Sequence, residues 1–259
     1  MDKTPNIERI RTNGRDMVSL LSLASSPVGV RLLRQGDDWG DALQLETHRY
    51  CQALMKARRG QTVVLLPEGM SCPAAAAAFG FKNLPDGLRT GKGLVGFGIV
   101  KDPAVGKIMF EHMSRLDAGS IAGLHLFPLE RARFAPDVVV VEDEVERLMW
   151  IALASLHVHG GERVRASTAI LQATCVDSTV IPYLENTLNL SYGCYGCRDA
   201  TDIGPSEAVL GFPAGELQPI VKHLKYLAEK AIPASRSKKA FAALDRKAGH
   251  DCSGEGHGL

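Results

Sequence analysis

Strand-like and helical segments follow one another along this chain without regular alternation, and this order limits the folds that it can adopt. Short β-branched and apolar runs predict about seven strands, such as Val28 to Leu33 and Ile121 to Pro128. About six segments have helical spacing, the first at Ile7 to Ala24. A parallel α/β sheet requires a helix after nearly every strand. We therefore expect a single α+β domain over residues 1–245, with a mixed or antiparallel sheet and several flanking helices.

Three segments share the order apolar strand, turn and amphipathic helix. They are Val95 to Met113, Val138 to Leu156 and Ala208 to Leu227. The first two align past their turns only after a slip of one residue. A weak internal β-turn-α repeat and a chance similarity both remain open. Val164 to Leu171 is a further predicted strand.

Composition excludes several classes of protein. The chain has 259 residues, with 30 Lys+Arg against 29 Asp+Glu, and therefore lacks the basic excess of a nucleic-acid-binding protein. Its apolar runs are too short for a membrane span, and the N-terminus has no apolar signal segment, so we expect a cytoplasmic protein. Residues 246–259, with Cys252 and His257, contain few large apolar side chains and predict a disordered tail.

The cysteines contain most of the functional information, because disulfides are rare in a reducing cytoplasm and spaced cysteines there indicate metal binding or redox chemistry. Cys194 and Cys197 form a Cys-x-x-Cys motif with flexible glycines beside and inside it. Cys72 precedes Pro73 at a predicted helix start, where partial positive charge favours a thiolate. Cys175 lies at a predicted turn into a short helix.

Four thiolates, from Cys72, Cys175, Cys194 and Cys197, would complete an iron–sulfur or zinc site. Cys51 lies in a helical, apolar stretch, which favours core packing and makes it a reserve ligand. Structural zinc sites usually pair two Cys-x-x-Cys or Cys/His units, and only one such pair is present. This favours a cluster over zinc, but a dithiol that cycles with a disulfide also remains open.

Other motifs give weaker signals. Arg198, and Asp177 near Cys175, could contact an anionic substrate or tune a cluster. His157 and His159 are interpreted as solvated side chains. The Gly-x-Gly-x-x-Gly sequence at residues 91–96 comes before a predicted strand, whereas a dinucleotide site requires it after one, and so it predicts a flexible loop.

A series of short motifs resembles a known family over about residues 15–230. In chain order they are Ser26-Pro27-Val28-Gly29-Val30, Arg49-Tyr50-Cys51, Ser71-Cys72-Pro73, Gly96-Phe97-Gly98, Pro128-Leu129-Glu130, Asp137-Val138-Val139-Val140, Gly193-Cys194-Tyr195-Gly196-Cys197-Arg198 and Gly211-Phe212-Pro213. The chain is similar to the ArCR-type family, a domain of unknown function found in archaea and in anaerobic or metabolically versatile bacteria. The resemblance implies that the cysteine motifs are family features, although the second cysteine of the last motif varies among members. It names a fold family and no reaction.

We therefore expect a cytoplasmic iron–sulfur protein with one [4Fe–4S] cluster, bound by the four cysteines and contacted by Arg198. Its role would be electron transfer, redox sensing or reduction of a small molecule. The expected partner is an unidentified small molecule or electron-transfer protein, with no nucleic acid and no membrane, and a homo-oligomer is left open. The alternatives are a small-molecule-binding or dithiol redox protein without metal, and a structural zinc site.

Overall fold

A seven-stranded sheet lies at the centre of the protein in a computed structural model, which describes residues 6–251 and the side chains of residues 6–245. Its strands are β1 (Val28–Leu33), β2 (Leu43–Gln44), β3 (Val63–Leu65), β4 (Gly123–Pro128), β5 (Val138–Glu144), β6 (Asn189–Ser191) and β7 (Glu207–Pro213). Their order is β2-β3-β4-β1-β5-β7-β6. β2 and β3 pair in parallel, and the other neighbours pair antiparallel. The predicted α+β class with a mixed sheet is confirmed.

Helices lie on both sides of this sheet. They are α1 (Ile7–Leu21), α2 (Tyr50–Arg58), α3 (Pro73–Ala78), α4 (Asp86–Arg89), α5 (Lys92–Gly96), α6 (Pro103–Glu111), α7 (Val145–Val158), α8 (Ile181–Glu185), α9 (Tyr195–Ala200), α10 (Leu217–Glu229), α11 (Ala231–Arg236) and α12 (Lys239–Asp251). A π-helix covers Ala173–Val180, and short 3-10 turns cover Leu129–Arg131 and Ala214–Glu216. None of the helices within residues 6–251 has the length and apolar character needed to cross a bilayer.

Alternation along the strands sends apolar side chains to two separate layers. Val138 and Val140 of β5 face a layer formed with α2, α3 and the π-helix, and we call this side of the sheet the first face. Val139 and Val141 face a layer formed with α1, α7 and α10, on the second face. The predicted cysteine ligands all belong to the first layer, so the sheet separates them from the second face.

Two predicted strands are absent from the described structure. The segment from Val95 to Val100 contains the end of α5 and a turn, because Gly91, at φ 75°, starts a short helix there. Phe97 is 65% exposed, so this segment lacks the burial that stabilises a strand. The Gly-x-Gly-x-x-Gly sequence therefore contributes to α5 and is not simply a loop. Val164 to Leu171 has no strand pairing either and leads into the π-helix.

These differences bear on the predicted repeat and tail. The second and third repeat segments do form a strand and then a helix, as β5–α7 and β7–α10, but the first lacks its strand. A threefold repeat is therefore not present in the described residues. At the C-terminus, α12 extends to Asp251, so residues 246–251 of the segment predicted as a disordered tail are helical. Cys252 and His257 lie outside the described residues.

A candidate site of five buried cysteines

Five cysteines lie in four separate elements of the first face. Cys51 lies in α2, Cys72 precedes α3, Cys175 lies in the π-helix, and Cys194 and Cys197 lie at the start of α9. Four are buried, Cys72 is half-buried, and all five are free of disulfide bonds. Distant parts of the sequence thus supply thiols to one layer of the core.

The Cys-x-x-Cys motif forms a tight, ordered turn. The two Sγ atoms of Cys194 and Cys197 are 3.0 Å apart, and the backbone N–H of Cys197 donates to Cys194 Sγ at 3.3 Å. The N–H of Ala173 also donates to Cys194 Sγ, which ties the turn to the start of the π-helix. Gly193 adopts φ 86°, a left-handed conformation that glycine accommodates most readily. Gly193 therefore has the positive φ that the sequence predicts for a glycine in this loop.

The four predicted ligands lie in the same layer of the core. The ionisable groups that act on the Cys175 thiol are Cys72, Cys197, Cys194 and Asp177. Cys197 also forms a hydrogen bond with Cys51. Cys51 therefore packs in the core, as its helical surroundings indicated, and is also the fifth sulfur of this group, which we call the cysteine cluster.

As free thiols, Cys175, Cys194 and Cys197 favour the neutral form. Burial raises the pKa of Cys175, and nearby Cys72 raises it further. The hydrogen bond with Cys197, followed by burial, raises the pKa of Cys194. The hydrogen bond from Cys194 lowers the pKa of Cys197, but the bond with Cys51 and burial outweigh this effect and raise that pKa to about 12. Thiols in such surroundings are poor nucleophiles until a metal or a positive charge stabilises the thiolate.

The π-helix that carries Cys175 is fixed by side chains of its own. Ser178 donates to the carbonyl of Ala173 at 3.0 Å, and Thr179 donates to the carbonyl of Thr174 at 2.8 Å. On the sheet side, a Cβ atom at Gly211 of β7 would lie 1.9 Å from the carbonyl oxygen of Ser178. This contact explains why glycine occupies the motif at residues 211–213. Single-turn π-helices occur frequently at functional sites.

Thr174 was not singled out in the sequence, although its hydroxyl lies 3.6 Å from Cys197 Sγ. It belongs to the same π-helix, one residue before Cys175. A threonine next to a cysteine gives no signal by itself, because its orientation depends on the unusual helix. The sequence likewise gives no signal for the contact of the Tyr50 hydroxyl, which is 2.8 Å from the Thr179 hydroxyl.

The Arg198 side chain contacts the protein backbone. Its guanidinium donates to three backbone carbonyls, those of Tyr192, Gly204 and Glu207. The side chain therefore joins both ends of the segment around α9. Its structural role is to hold the Cys-x-x-Cys turn in place, and any effect on a bound group is indirect.

A buried ion-pair network fixes the other side of this segment. Arg58 of α2 lies 3.0 Å from a carboxylate oxygen of Glu142 in β5 and 2.5 Å from one of Asp202, which follows α9. Burial raises the pKa of Glu142, while Arg58 acts in the opposite direction. Breaking a buried pair leaves an uncompensated charge. The network thus links the segment after Cys197 to both α2 and the sheet.

The donor atoms of the cysteine cluster are all sulfur. Zinc–sulfur bonds of about 2.3 Å place tetrahedral sulfurs about 3.8 Å apart, whereas Cys194 and Cys197 are 3.0 Å apart. In the part of the chain with described side chains, no three His, Cys, Asp or Glu residues are arranged around a single ion. The predicted histidines are elsewhere: His157 stacks on His223, and His159 lies 2.8 Å from Glu216.

Comparison with known proteins is consistent with the order of motifs. The family described as Uncharacterised ArCR matches residues 16–223. The chain is also similar to an uncharacterized protein of Methanocaldococcus jannaschii, with 27% identity over 225 residues, which is 85% of this chain and 96% of that protein. No solved structure matches the chain. Because the family match covers most of the sequence, the chain belongs to the Uncharacterised ArCR family.

Proposed function

We propose that this protein is a cytoplasmic iron–sulfur protein that holds one [4Fe–4S] cluster through Cys72, Cys175, Cys194 and Cys197. The observation that carries the proposal is the placement of these thiols, from three distant parts of the sequence, in one layer of the core, where the Sγ atoms of Cys194 and Cys197 are 3.0 Å apart. A single buried cysteine is common as a small apolar side chain. Five cysteines in one layer, four of them buried, exceed what packing alone requires.

The chemistry of the donor set supports an iron–sulfur cluster. Iron–sulfur clusters are held by cysteine thiolates, and four are needed for this type. Asp177, a carboxylate that acts on the Cys175 thiol, accepts a hydrogen bond from Thr168 and so has another partner. A neutral thiol that is costly to ionise in an apolar layer becomes a thiolate when it binds iron, because the metal supplies the missing positive charge.

The 3.0 Å distance between the Sγ atoms of Cys194 and Cys197 is shorter than the spacing of sulfurs around a zinc ion, and shorter still than their spacing around a four-iron cluster. A four-iron cube is larger than one ion, so its ligands stand farther apart than the ligands of zinc. Cys194 and Cys197 must separate to bind either group.

Bound in this layer, the cluster would supply one-electron transfer. The chain would tune it through backbone N–H bonds to sulfur, which stabilise the reduced form, and through burial. The N–H groups of Ala173 and Cys197 already point at Cys194 Sγ. Electron transfer, redox sensing and small-molecule reduction are the roles that such a centre can serve.

A second function, dithiol redox chemistry, is favoured by the 3.0 Å distance between Cys194 and Cys197. Disulfide sulfurs are about 2.05 Å apart, so a small movement would join this pair. In such a cycle the dithiol reduces a disulfide on a partner: one S–S bond forms here, the partner's bond breaks, and the partner receives both electrons and both protons. The raised thiol pKa values slow this reaction. Dithiol chemistry at this pair would also leave Cys72 and Cys175 without a role.

Anaerobic reconstitution with iron and sulfide tests the proposal. The protein should develop a broad visible absorption and, after reduction, a paramagnetic signal of a reduced cluster. Cys175→Ser should lose the chromophore, whereas Cys252→Ser, in the predicted tail, should retain it. Cys51→Ala should also retain it, because the other four thiols suffice. Equal chromophore in Cys175→Ser and the wild type would contradict the ligand set, and tight uptake of one zinc ion would indicate a structural zinc site.

A further inference from the structure

A cavity of about 510 Å³ opens on the second face of the sheet. The cysteine cluster lies on the first face. On the second face, apolar residues of β5 and β7 pack with those of α1, α7 and α10. Leu124 and Leu126 of β4 face the first layer, so His125 and Phe127 point to the second face. There they line the cavity together with Trp39 and Phe134. Its volume lies within the usual range of roughly 300–1,000 Å³ for small-molecule sites.

His125 is the unusual residue of this cavity. Its side chain is 2% exposed, and neither ring nitrogen has a hydrogen-bond partner among the described residues. Buried polar groups in native proteins are nearly always paired. A neutral imidazole offers one donor and one acceptor. His125 therefore presents two unused hydrogen-bonding groups at the wall of a cavity large enough for a ligand.

Aromatic rings surround this imidazole. The His125 ring centroid is 4.9 Å from that of Phe127 and 5.5 Å from that of Phe134, the latter edge-on. The guanidinium of Arg31 lies 4.7 Å above the Phe134 ring and holds it in place. Trp39 adds a fourth ring to the lining. Such walls favour a flat ring, which stacks without losing much conformational freedom.

The charged residues of the cavity carry a positive excess. Arg131 and Arg133 line it, against one carboxylate, Asp41. Arg133 lies 2.7 Å from Asp41, and Arg131 donates to the Gly60 carbonyl at 2.7 Å. Each of these contacts uses one terminal nitrogen of a group with five N–H donors, so both guanidinium groups retain donors for an anion.

We propose that this cavity binds a small, planar heteroaromatic molecule that carries an anionic group. One ring nitrogen of His125 forms a hydrogen bond with the edge of the ring, the aromatic side chains stack on its faces, and Arg131 and Arg133 bind the anion. A phosphate or a carboxylate meets the same requirement. The site is separate from the cysteine cluster, so this inference stands or falls independently of the iron–sulfur proposal.

Fluorescence titration with adenosine 5′-monophosphate and with nicotinate, neither of which emits in the range of tryptophan, tests the inference. Trp39 reports binding at the cavity, because the other tryptophan, Trp150, is buried in the second layer. We expect saturable binding of at least one probe, and much weaker binding of adenosine or inorganic phosphate alone. A response that persists in Trp39→Phe, or no binding of either probe, would overturn the proposal.

Variants assign the roles of the individual residues. His125→Phe keeps an aromatic ring but should weaken binding about tenfold, and Arg133→Gln should do the same, since each removes a hydrogen bond to the probe. Asp41→Asn should tighten binding, because it removes the opposing charge. Arg89→Gln, an exposed arginine paired with Asp86, serves as the matched control. Wild-type affinity in both His125→Phe and Arg133→Gln would refute the assignment, and Arg133→Gln remains a test if His125→Phe does not fold.

Discussion

Replacement of His125 by phenylalanine should make the protein more resistant to mild acid than the wild type. Burial, together with the nearby Arg31, lowers the pKa of His125 from 6.5 to about 4, while Asp38 acts in the opposite direction. The folded state therefore binds a proton less readily than the unfolded chain. The stabilisation due to neutral His125 is complete above pH 6.5 and is lost as the pH falls toward 4.

The magnitude follows from the two pKa values. Each unit of difference corresponds to about 1.4 kcal/mol, so the wild type should lose roughly 3 kcal/mol in total and about 1.4 kcal/mol by about pH 5.5. Other carboxyl and histidine groups also titrate in this range, but they are common to both proteins. The informative quantity is thus the difference in unfolding free energy between wild type and variant at each pH.

Urea unfolding at about pH 7.5 and about pH 5.5 measures this difference. We expect it to shift by about 1.4 kcal/mol in favour of His125→Phe at the lower pH. His112→Gln, at an exposed position, serves as a control for the loss of a histidine. A difference that is the same at both pH values would refute the reasoning, because it would mean that His125 is protonated equally in the folded and unfolded states.

Two further substitutions test how the site is held. Gly211→Ala should destabilise the protein by about 1–3 kcal/mol in urea unfolding, because the new methyl group meets the Ser178 carbonyl; Gly87→Ala, where no atom lies within 4 Å, is the control and should show no such loss. Arg198→Gln should cost about 1 kcal/mol, since its carbonyl partners are partly solvated, and should speed alkylation of Cys197 by iodoacetamide. Unchanged stability and alkylation would remove Arg198 from the structural role.

The sequence predicts the main layers of the fold well. Continuous apolar runs at β5 and β7, each followed by a helix with one apolar face, are strong signals because local pattern and tertiary burial agree. The strand predicted from Val95 to Val100 does not form. Its β-branched residues indicate burial, yet it pairs with none of the strands of the described sheet. Such pairing depends on tertiary structure, which local sequence does not encode.

The residues of the two candidate sites also differ in how well the sequence predicts them. Cysteine spacing identifies Cys194 and Cys197, and the cysteine content indicates Cys72 and Cys175, but the proximity of Cys51 depends on how α2 packs against α9. A π-helix leaves no reliable trace in the sequence, so Thr174 could not be found. His125 lies between Leu124 and Leu126 as an ordinary alternating residue. Only the assembled layers show that this part of the second face contains a cavity.

The central claim is that the cysteine cluster binds iron and sulfide. The most direct measurement is anaerobic purification of the full chain, followed by analysis of iron, zinc and acid-labile sulfide together with a visible spectrum. We expect about four iron and four sulfide per chain, with a broad visible absorption. One zinc without sulfide would contradict the claim and make the cysteines a structural site, and a colourless protein without metal would support dithiol chemistry at Cys194 and Cys197 instead.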